Sequence, residues 1–518
     1  MRIVSRRQIL TTGCSLGAGG IFLPPGLLWA APPNQDPAAH LGLAWTANLK
    51  WANVIDITRT GDAGKYWDDR LLKVQDELSG KGGGVVFFPA GVYHFEKHIR
   101  LKSGIIIRGE DPVGAKTAHD DNYSPPTKFE FPEYKPKLSG EGTPIDTAFK
   151  GIHLDDPRRA SHCGVVNVSI NRGHIRFEED ADHTCGGNRI VFGCLLRNCA
   201  VADPAIPKAS IGQKPWQRFT SRHHAAIDVK GSENILVANN RLAKSGDDNF
   251  TMKDFILKPN RGSADRYDVV FDYDNRPGMY VSEYCIGGAG GSGNDGTPET
   301  HPWGFRNGIV ICDNYLFQTG RTPIAFTGDG TICRNNVIRI PKDIWRPTTT
   351  GQSATSGSST NDNRAIQMRG WRWSVEDNDF EVHRNWAAQR RYLINDGEGL
   401  MHEDHCNSDL RGSRLTGNRG NSYISIYKCG LIDGLHIEGN DISVPSNIAD
   451  IYVVSDRNSG PAPIRNVSII NNRTRSNGIL VQGSPSKNVT VKNNEHIGGG
   501  GSLHNKANAT CSGNKGYA

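Results

Sequence analysis

Val467-Ser468-Ile469-Ile470-Asn471-Asn472 is a short β-like run that ends on asparagine, and the same figure recurs as Ile235-Leu236-Val237-Ala238-Asn239-Asn240 and Ile309-Val310-Ile311-Cys312-Asp313-Asn314. Nine such asparagines follow one another along the second half of the chain: Asn240, Asn314, Asn336, Asn378, Asn418, Asn440, Asn472, Asn494 and Asn514. Several steps lie near 22 residues and loops lengthen the others. Self-similarity at this period marks a solenoid, whose units bury their apolar face only by stacking on one another. Asparagine suits the corner because it tolerates left-handed backbone and its amide can bond the asparagine one coil above. Ordinary turn usage would not hold one register through nine turns.

A second strand precedes each of these runs: Ala226–Val229, Asn249–Met252, Pro323–Phe326, Ala365–Met368, Gly399–His402, Tyr423–Ile426, Asp450–Val453 and Gly478–Val481. Alternation with period two points Ile227, Phe250, Ile324, Ile366 and Leu400 inward and the residues between them toward solvent. Two or three short strands per coil, stacked in parallel, make a β-helix. Length supports one domain: 518 residues with 60 glycines and mean hydropathy −0.50 hold a large core but few amphipathic helices. The best helix candidate is Trp67–Leu78, with Trp67, Leu71, Val74 and Leu78 on one face, placed to cap the open end where strand edges would otherwise aggregate.

Ser5-Arg6-Arg7-Gln8-Ile9-Leu10, a Gly-rich apolar stretch and Leu28-Trp29-Ala30-Ala31-Pro32 resemble a twin-arginine export signal, so residues 1–30 read as a targeting peptide and 31–518 as the folded domain. This places the protein in the periplasm or outside the cell, with no membrane association after cleavage. Loss of Arg2, Arg6 and Arg7 takes the net charge from +6 to +3, too little to argue for nucleic acid. Ten of the 11 cysteines lie beyond the signal without a C-x-x-C, which weakens zinc and thioredoxin-type readings. Cys312 and Cys333 occupy neighbouring positions on successive coils, as fit for inward packing as for a disulfide.

Gly82-Gly83-Gly84-Val85-Val86-Phe87-Phe88-Pro89-Ala90-Gly91-Val92-Tyr93, followed by Ile99-Arg100-Leu101-Lys102-Ser103-Gly104-Ile105-Ile106-Ile107-Arg108-Gly109, resembles the first coils of the pectate-lyase superfamily. The resemblance implies an all-β fold, a single-stranded right-handed parallel β-helix with an N-terminal capping helix. It also implies action on polysaccharides, without choosing among lyase, hydrolase and epimerase.

Aligning coils on their inward residues gives two surface columns. Two residues before the inward position stand Asp248, Thr322, Arg364, Glu398 and Ser422; three residues after it stand Lys230, Lys253, Thr327, Arg369, Glu403 and Tyr427. Alternating cations and carboxylates suit an acidic sugar chain, although an ion-pair ladder on a solvated face would look the same. Ser245-Gly246-Asp247-Asp248 resembles the Gly-Asp-Asp of polygalacturonase-type glycosidases, which implies that Asp247 and Asp248 are catalytic. Paired carboxylates split their pKa values into an acid and a base. One coil earlier, where that family carries Asn-Thr-Asp, this chain has Arg222-His223-His224-Ala225, and Asp-Asp also suits a plain turn.

Asp396-Gly397-Glu398-Gly399-Leu400-Met401-His402-Glu403-Asp404-His405 packs four carboxylates and two imidazoles into ten residues, making Glu398 and Glu403 the second catalytic candidates. His224, Lys230, Lys253, Arg364, Arg369, Asp396 and His402 are candidate substrate contacts. Long insertions are expected near 111–150, 255–306 and 346–362. The second carries Gly287–Gly296 and Trp303, fit either for a lid that stacks on sugar or for a surface loop. The sequence therefore predicts an exported enzyme that cleaves an acidic polysaccharide, with hydrolysis ahead of β-elimination. No cofactor is required; calcium on Asp247 and Asp248 would enter only with lyase chemistry. A glycan-binding solenoid without catalysis is the other class.

Overall fold

The computed structural model describes residues 33–518 apart from 62–63, 133–136, 139–143, 146–149, 157–158, 178–185, 198–224, 230–232, 243–254, 260–266, 272–283, 290–306, 318–322, 341–363, 383–397, 404–408, 422, 444–448 and 458–459. Three long sheets run through it. Sheet A extends from Val54–Asp56 to Thr510–Ser512, sheet B from Gly91–His94 to Glu495–His496, and sheet C from Ile99–Leu101 to Ser502–Lys506. Each coil visits A, B and C in turn and pairs in parallel with the next, for example Ile235↔Ile309, Leu242↔Leu316 and Ile366↔Leu400. The expected parallel β-helix is present, with the right-handed sense that parallel crossovers take. Its core is the stack of inward residues: Ile227, Ile324, Ile366, Ile424, Ile451 and Ile479 from sheet C meet Val237, Ile311, Val375 and Ile469 from sheet A, all at 0 % exposure.

The capping helix α1 (Asp68–Gly80) closes the first coil with Leu71, Val74 and Leu78 buried. The run Gly82–Gly84 lets it approach: a Cβ on Gly84 would lie 2.4 Å from the Asn53 carbonyl and 2.7 Å from Leu78. Among the described residues no helix is long and apolar enough to cross a membrane.

All nine asparagines form one ladder between sheets A and B, buried from Asn240 to Asn494 and partly exposed at Asn514. Asn314 Oδ1 accepts from the backbone N–H and Nδ2 of Asn240, Asn336 Oδ1 does the same for Asn314, and the pattern runs unbroken to Asn514. Each Nδ2 also donates to a backbone carbonyl, as from Asn336 to Ile311. The left-handed residue, however, is the one before each ladder asparagine: Asn239, Asp313, Asn335, Asp377, Asn471 and Asn493, with Gly417, Gly439 and Gly513 in the other coils. The corner separates two tasks, a turn residue that points outward and an amide that points inward.

Residues 33–53 form a strap over the outer face of sheet A, which the repeat pattern did not foretell. Ala38, Leu49 and Trp51 cover Val85, Ile106, Ile190, Phe192, Leu236 and Val310. Arg108, only 1 % exposed, fastens the strap by donating to the Gln35 carbonyl and pairing with Asp111 at 3.1 Å. Removal of this guanidinium takes the charge partner of Asp111, leaving it the Asn167 amide, and frees the strap, so Arg108→Leu should cost on the order of 3 kcal/mol. Chemical denaturation, with a red shift of Trp51 emission, checks it.

Three expectations need correction. Cys312 and Cys333 do not face each other: Cys333 is inward opposite Ile311, whereas Cys312 faces outward under the strap, and both are free thiols. The coil expected at Asn249–Met252 is formed instead by Tyr284–Ala289, whose Ile286 pairs with both Ile227 and Ile324. The Gly-rich stretch is thus strand as far as Ala289, because glycine can occupy a ladder wherever neighbours supply the packing. The insertion near 111–150 likewise contains a coil strand, Thr127–Glu130.

Candidate functional site

From the coil of Cys163–Val166 onward the corner between sheets A and B keeps one length; before it, residues 110–126 fill the corner between Gly109 and Thr127. Two residues join the strands at Phe192 to Leu195, Ala238 to Arg241, Cys312 to Tyr315, Arg334 to Val337 and every later coil, because the ladder admits no other spacing. In these coils extra chain enters elsewhere: between Arg197 and Ala225, Ile340 and Arg364, and Val382 and Glu398 on the way into sheet C, and between Phe177 and Gly187 or Ala289 and Ile309 on the way out. Both edges of sheet C can vary without disturbing the stack, so its outer face is where a site can be built.

Part of the predicted column map matches the register. Arg364 lies opposite Glu398, Thr327 opposite Arg369, and Glu403 opposite Tyr427, all on sheet C. The backbone of His402 lies in register between Met368 and Ile426. For Arg364 and for Glu398–Glu403 the backbone alone is described. Asp247, Asp248, Lys230, Lys253, His224, Trp303 and Asp396 fall outside the described residues. Lys253 and Asp248 lose their assigned rungs, because Tyr284–Ala289 holds that coil.

The described outer face contains a cluster that the column map missed. Arg100, His153, Arg176 and Asp228 stand in register on four successive coils. The signal was legible as Ile99-Arg100-Leu101, Ile152-His153-Leu154, Ile175-Arg176-Phe177 and Ile227-Asp228-Val229, each a polar residue between two inward ones. Aligning coils only from Ala226 onward hid it. His153 Nε2 lies 2.8 Å from His174 Nε2, so one ring donates to the other and the pair cannot both be protonated without losing that bond. His98 packs on His153 with ring centroids 4.3 Å apart. Burial, then Lys150 and Arg100, hold the His98 imidazole down to about 4, opposed by a hydrogen bond with the Gly151 backbone.

Outer residues of sheet C are not solvated as their parity suggested. Asp228 is 2 % exposed, Thr327 6 %, Gln367 7 % and Ser425 4 %. The outer face of sheet C, here the trough, thus has a polar floor that is covered at these four rungs. Farther along, Tyr452 sits half-buried beside Ser425 in register, its hydroxyl pKa raised by burial and then by Asp456. Cationic and imidazole groups mark the first coils, and the register sets Arg364 opposite Glu398 in the middle. Among the described residues no three His, Cys, Asp or Glu side chains are grouped to hold a metal ion.

No protein family's model matches the chain, and no curated protein does. Solved structures resemble it loosely. The mannuronan C-5 epimerase AlgE4 A-module of Azotobacter vinelandii aligns over 90 % of this chain and 97 % of its own at 9 % identity, with a TM-score of 0.37. The catalytic unit of a GH87 alpha-1,3-glucanase from Streptomyces thermodiastaticus aligns over 90 % and 69 % at 12 % identity and TM-score 0.42. PfbA, a surface adhesin of Streptococcus pneumoniae, aligns over 90 % and 92 % at 13 % identity and TM-score 0.44. Likeness at this level assigns no chemistry, which rests on the trough itself.

Proposed function

We propose that this chain is an exported enzyme that cleaves an acidic polysaccharide bound along the trough of sheet C. The observation that carries the reading is the run Arg100–His153–Arg176, with Lys150 and His98 beside it and Asp228 as the carboxylate of the same row. Arg100 and Arg176, two rungs and so roughly 9.6 Å apart with His153 between them, form a strip of positive potential suited to a polyanion. Hydrolysis remains the leading chemistry, with Glu398 and Glu403 supplying acid and base and Asp247 or Asp248 as the other candidates. Carboxylates roughly 6.5 to 9.5 Å apart would invert the anomeric centre, and a closer pair would retain it.

Elimination is the second reading, and His98 favours it. An imidazole held near 4 is unprotonated at neutral pH but a weak base, so it can take a sugar C–H proton only where Arg100 or Arg176 neutralises the adjoining carboxylate and acidifies that proton. Incubation with uronate and sulfated polysaccharides decides: new reducing ends without ultraviolet absorbance mean hydrolysis, and absorbing unsaturated ends mean elimination. Intact chains from every acidic glycan would remove the enzyme assignment.

Two further outcomes follow. Arg100→Gln together with Lys150→Gln should raise KM on the acidic substrate by about tenfold, with most of the difference gone at high salt. The depressed His98 pKa also fixes a sign: between 6.5 and about 4 the unfolded chain binds a proton at His98 that the folded chain does not. Stability therefore falls as pH drops through that window. His98→Gln should flatten this part of the melting-temperature profile, and an unchanged slope would show that His98 is not held neutral.

A further inference from the structure

A second site lies away from the trough, at the outer corner between sheets A and B. A cavity of about 950 Å³ opens between the strap, the loop that follows Asp111, and the left-handed turn residues Asn239, Asp313 and Asn335. Its walls are fixed in advance. Tyr123 Oη donates to the Gly193 carbonyl at 2.7 Å, the Ala118 N–H donates to Asn239 Oδ1 at 2.8 Å, and Arg241 donates to the Ala118 carbonyl at 2.8 Å and pairs with Asp121 at 2.7 Å. A ligand entering such a site has little chain to order.

The two sides differ in chemistry. One is aliphatic, with Pro37, Leu41, Pro112 and Val113, whose side chain is 87 % exposed. It is not the single open valine but its grouping with Pro37, Leu41 and Pro112 around one concave opening that gives this side an apolar contact surface. The other side is a row of amide and carboxylate groups, one per coil, in which Asn335 Nδ2 donates to Asp313 Oδ1 at 2.5 Å. His119, on the same wall, keeps a buried Nε2 with no protein partner among the described residues. Charge is balanced rather than cationic: Asp111 is paired with Arg108, Asp313 and Lys116 offset each other in the lining, and burial keeps the His119 imidazole from adding a charge by lowering its pKa.

We propose that this cavity binds a neutral oligosaccharide. A pyranose offers a C–H face for the aliphatic side and a rim of hydroxyls for the row, whose rungs lie about 4.8 Å apart. The balanced wall gives no advantage to a uronate. This goes beyond the trough reading and stands independently of it.

Calorimetric titration of the full chain with cellohexaose, laminarihexaose, maltohexaose, mannohexaose and a galacturonate hexamer tests it. At least one neutral hexaose should bind. Asn335→Gly, which keeps the left-handed turn and removes the amide, and Val113→Glu at the open mouth should each weaken that binding about tenfold without shifting the melting temperature. Arg100→Gln, in the trough, should leave it unchanged. Binding of no neutral hexaose, binding indifferent to both cavity variants, or a galacturonate hexamer lost through Asn335→Gly would each overturn the proposal, whatever the trough variants do to cleavage.

Discussion

Asn378→Leu is expected to lower stability by about 4 kcal/mol, although leucine fills nearly the same space. Asn378 Oδ1 accepts both the backbone N–H and the Nδ2 of Asn336, and its own Nδ2 donates to the Cys333 carbonyl and to Asn418 Oδ1. All of these atoms lie in a column at 0 % exposure, so water cannot replace what the substitution removes. Asn514→Leu at the end of the column should cost much less, because it has one neighbour in the ladder and is partly exposed. Asp377→Gly, at the outward turn residue, should be nearly neutral, since glycine keeps the left-handed conformation. Urea midpoints and hydrogen exchange at the Asn336 amide read the result. Equal losses at Asn378 and Asn514 would mean that the ladder is not a cooperative stack.

That contrast explains how far the sequence reached. The ladder was legible because a buried amide tolerates no substitute: each residue needs both an acceptor and a donor at one height, so the register is printed as asparagine in nine coils. The inward isoleucines were legible for a similar reason, since their period of two is imposed by packing. The coil at Tyr284–Ala289 was not. Its Gly287 and Gly288 carry no hydrophobic signal, while Phe250 and Met252 mimic one. The strap was hidden because it belongs to no repeat; its Trp51 and Leu49 pack on the outer face of sheet A, a face that repeat logic assigns to solvent.

The site was legible only by register. Opposing Arg364 to Glu398 needs nothing beyond counting from Ile366 and Leu400, and the parallel pairing bears out that counting. Counting failed for Asp248, where the wrong strand was taken as the coil. It also understated burial: Asp228 and Gln367 have outward parity yet are nearly inaccessible, because parity tells which face a side chain takes and not what stands over it. The imidazole cluster needed two facts that a sequence does not carry, namely that His98 and His174 flank the strand ends beside His153, and that Lys150 arrives from the preceding segment.

Glu398→Gln is expected to reduce turnover on an acidic polysaccharide by roughly 10²-fold or more with folding unchanged, since glutamine keeps the size of the side chain but cannot cycle a proton. Glu403→Gln should behave alike if the two work as acid and base, and the double variant should be little worse than either, because residues acting as a unit are not additive. Asp248→Asn provides the contrast: a comparable loss there would bring the Gly-Asp-Asp turn into the same centre despite its lost rung. Full activity in all three single variants would end the hydrolase assignment. If unsaturated products then persist and His98→Gln abolishes them, proton abstraction belongs to the imidazole end of the trough, and Arg364 with Glu398 in the middle serves to hold the chain. If wild type binds acidic oligosaccharides and cleaves none, the same cationic strip is a binding surface, and Arg100→Gln with Lys150→Gln should then weaken that binding by the tenfold expected for KM.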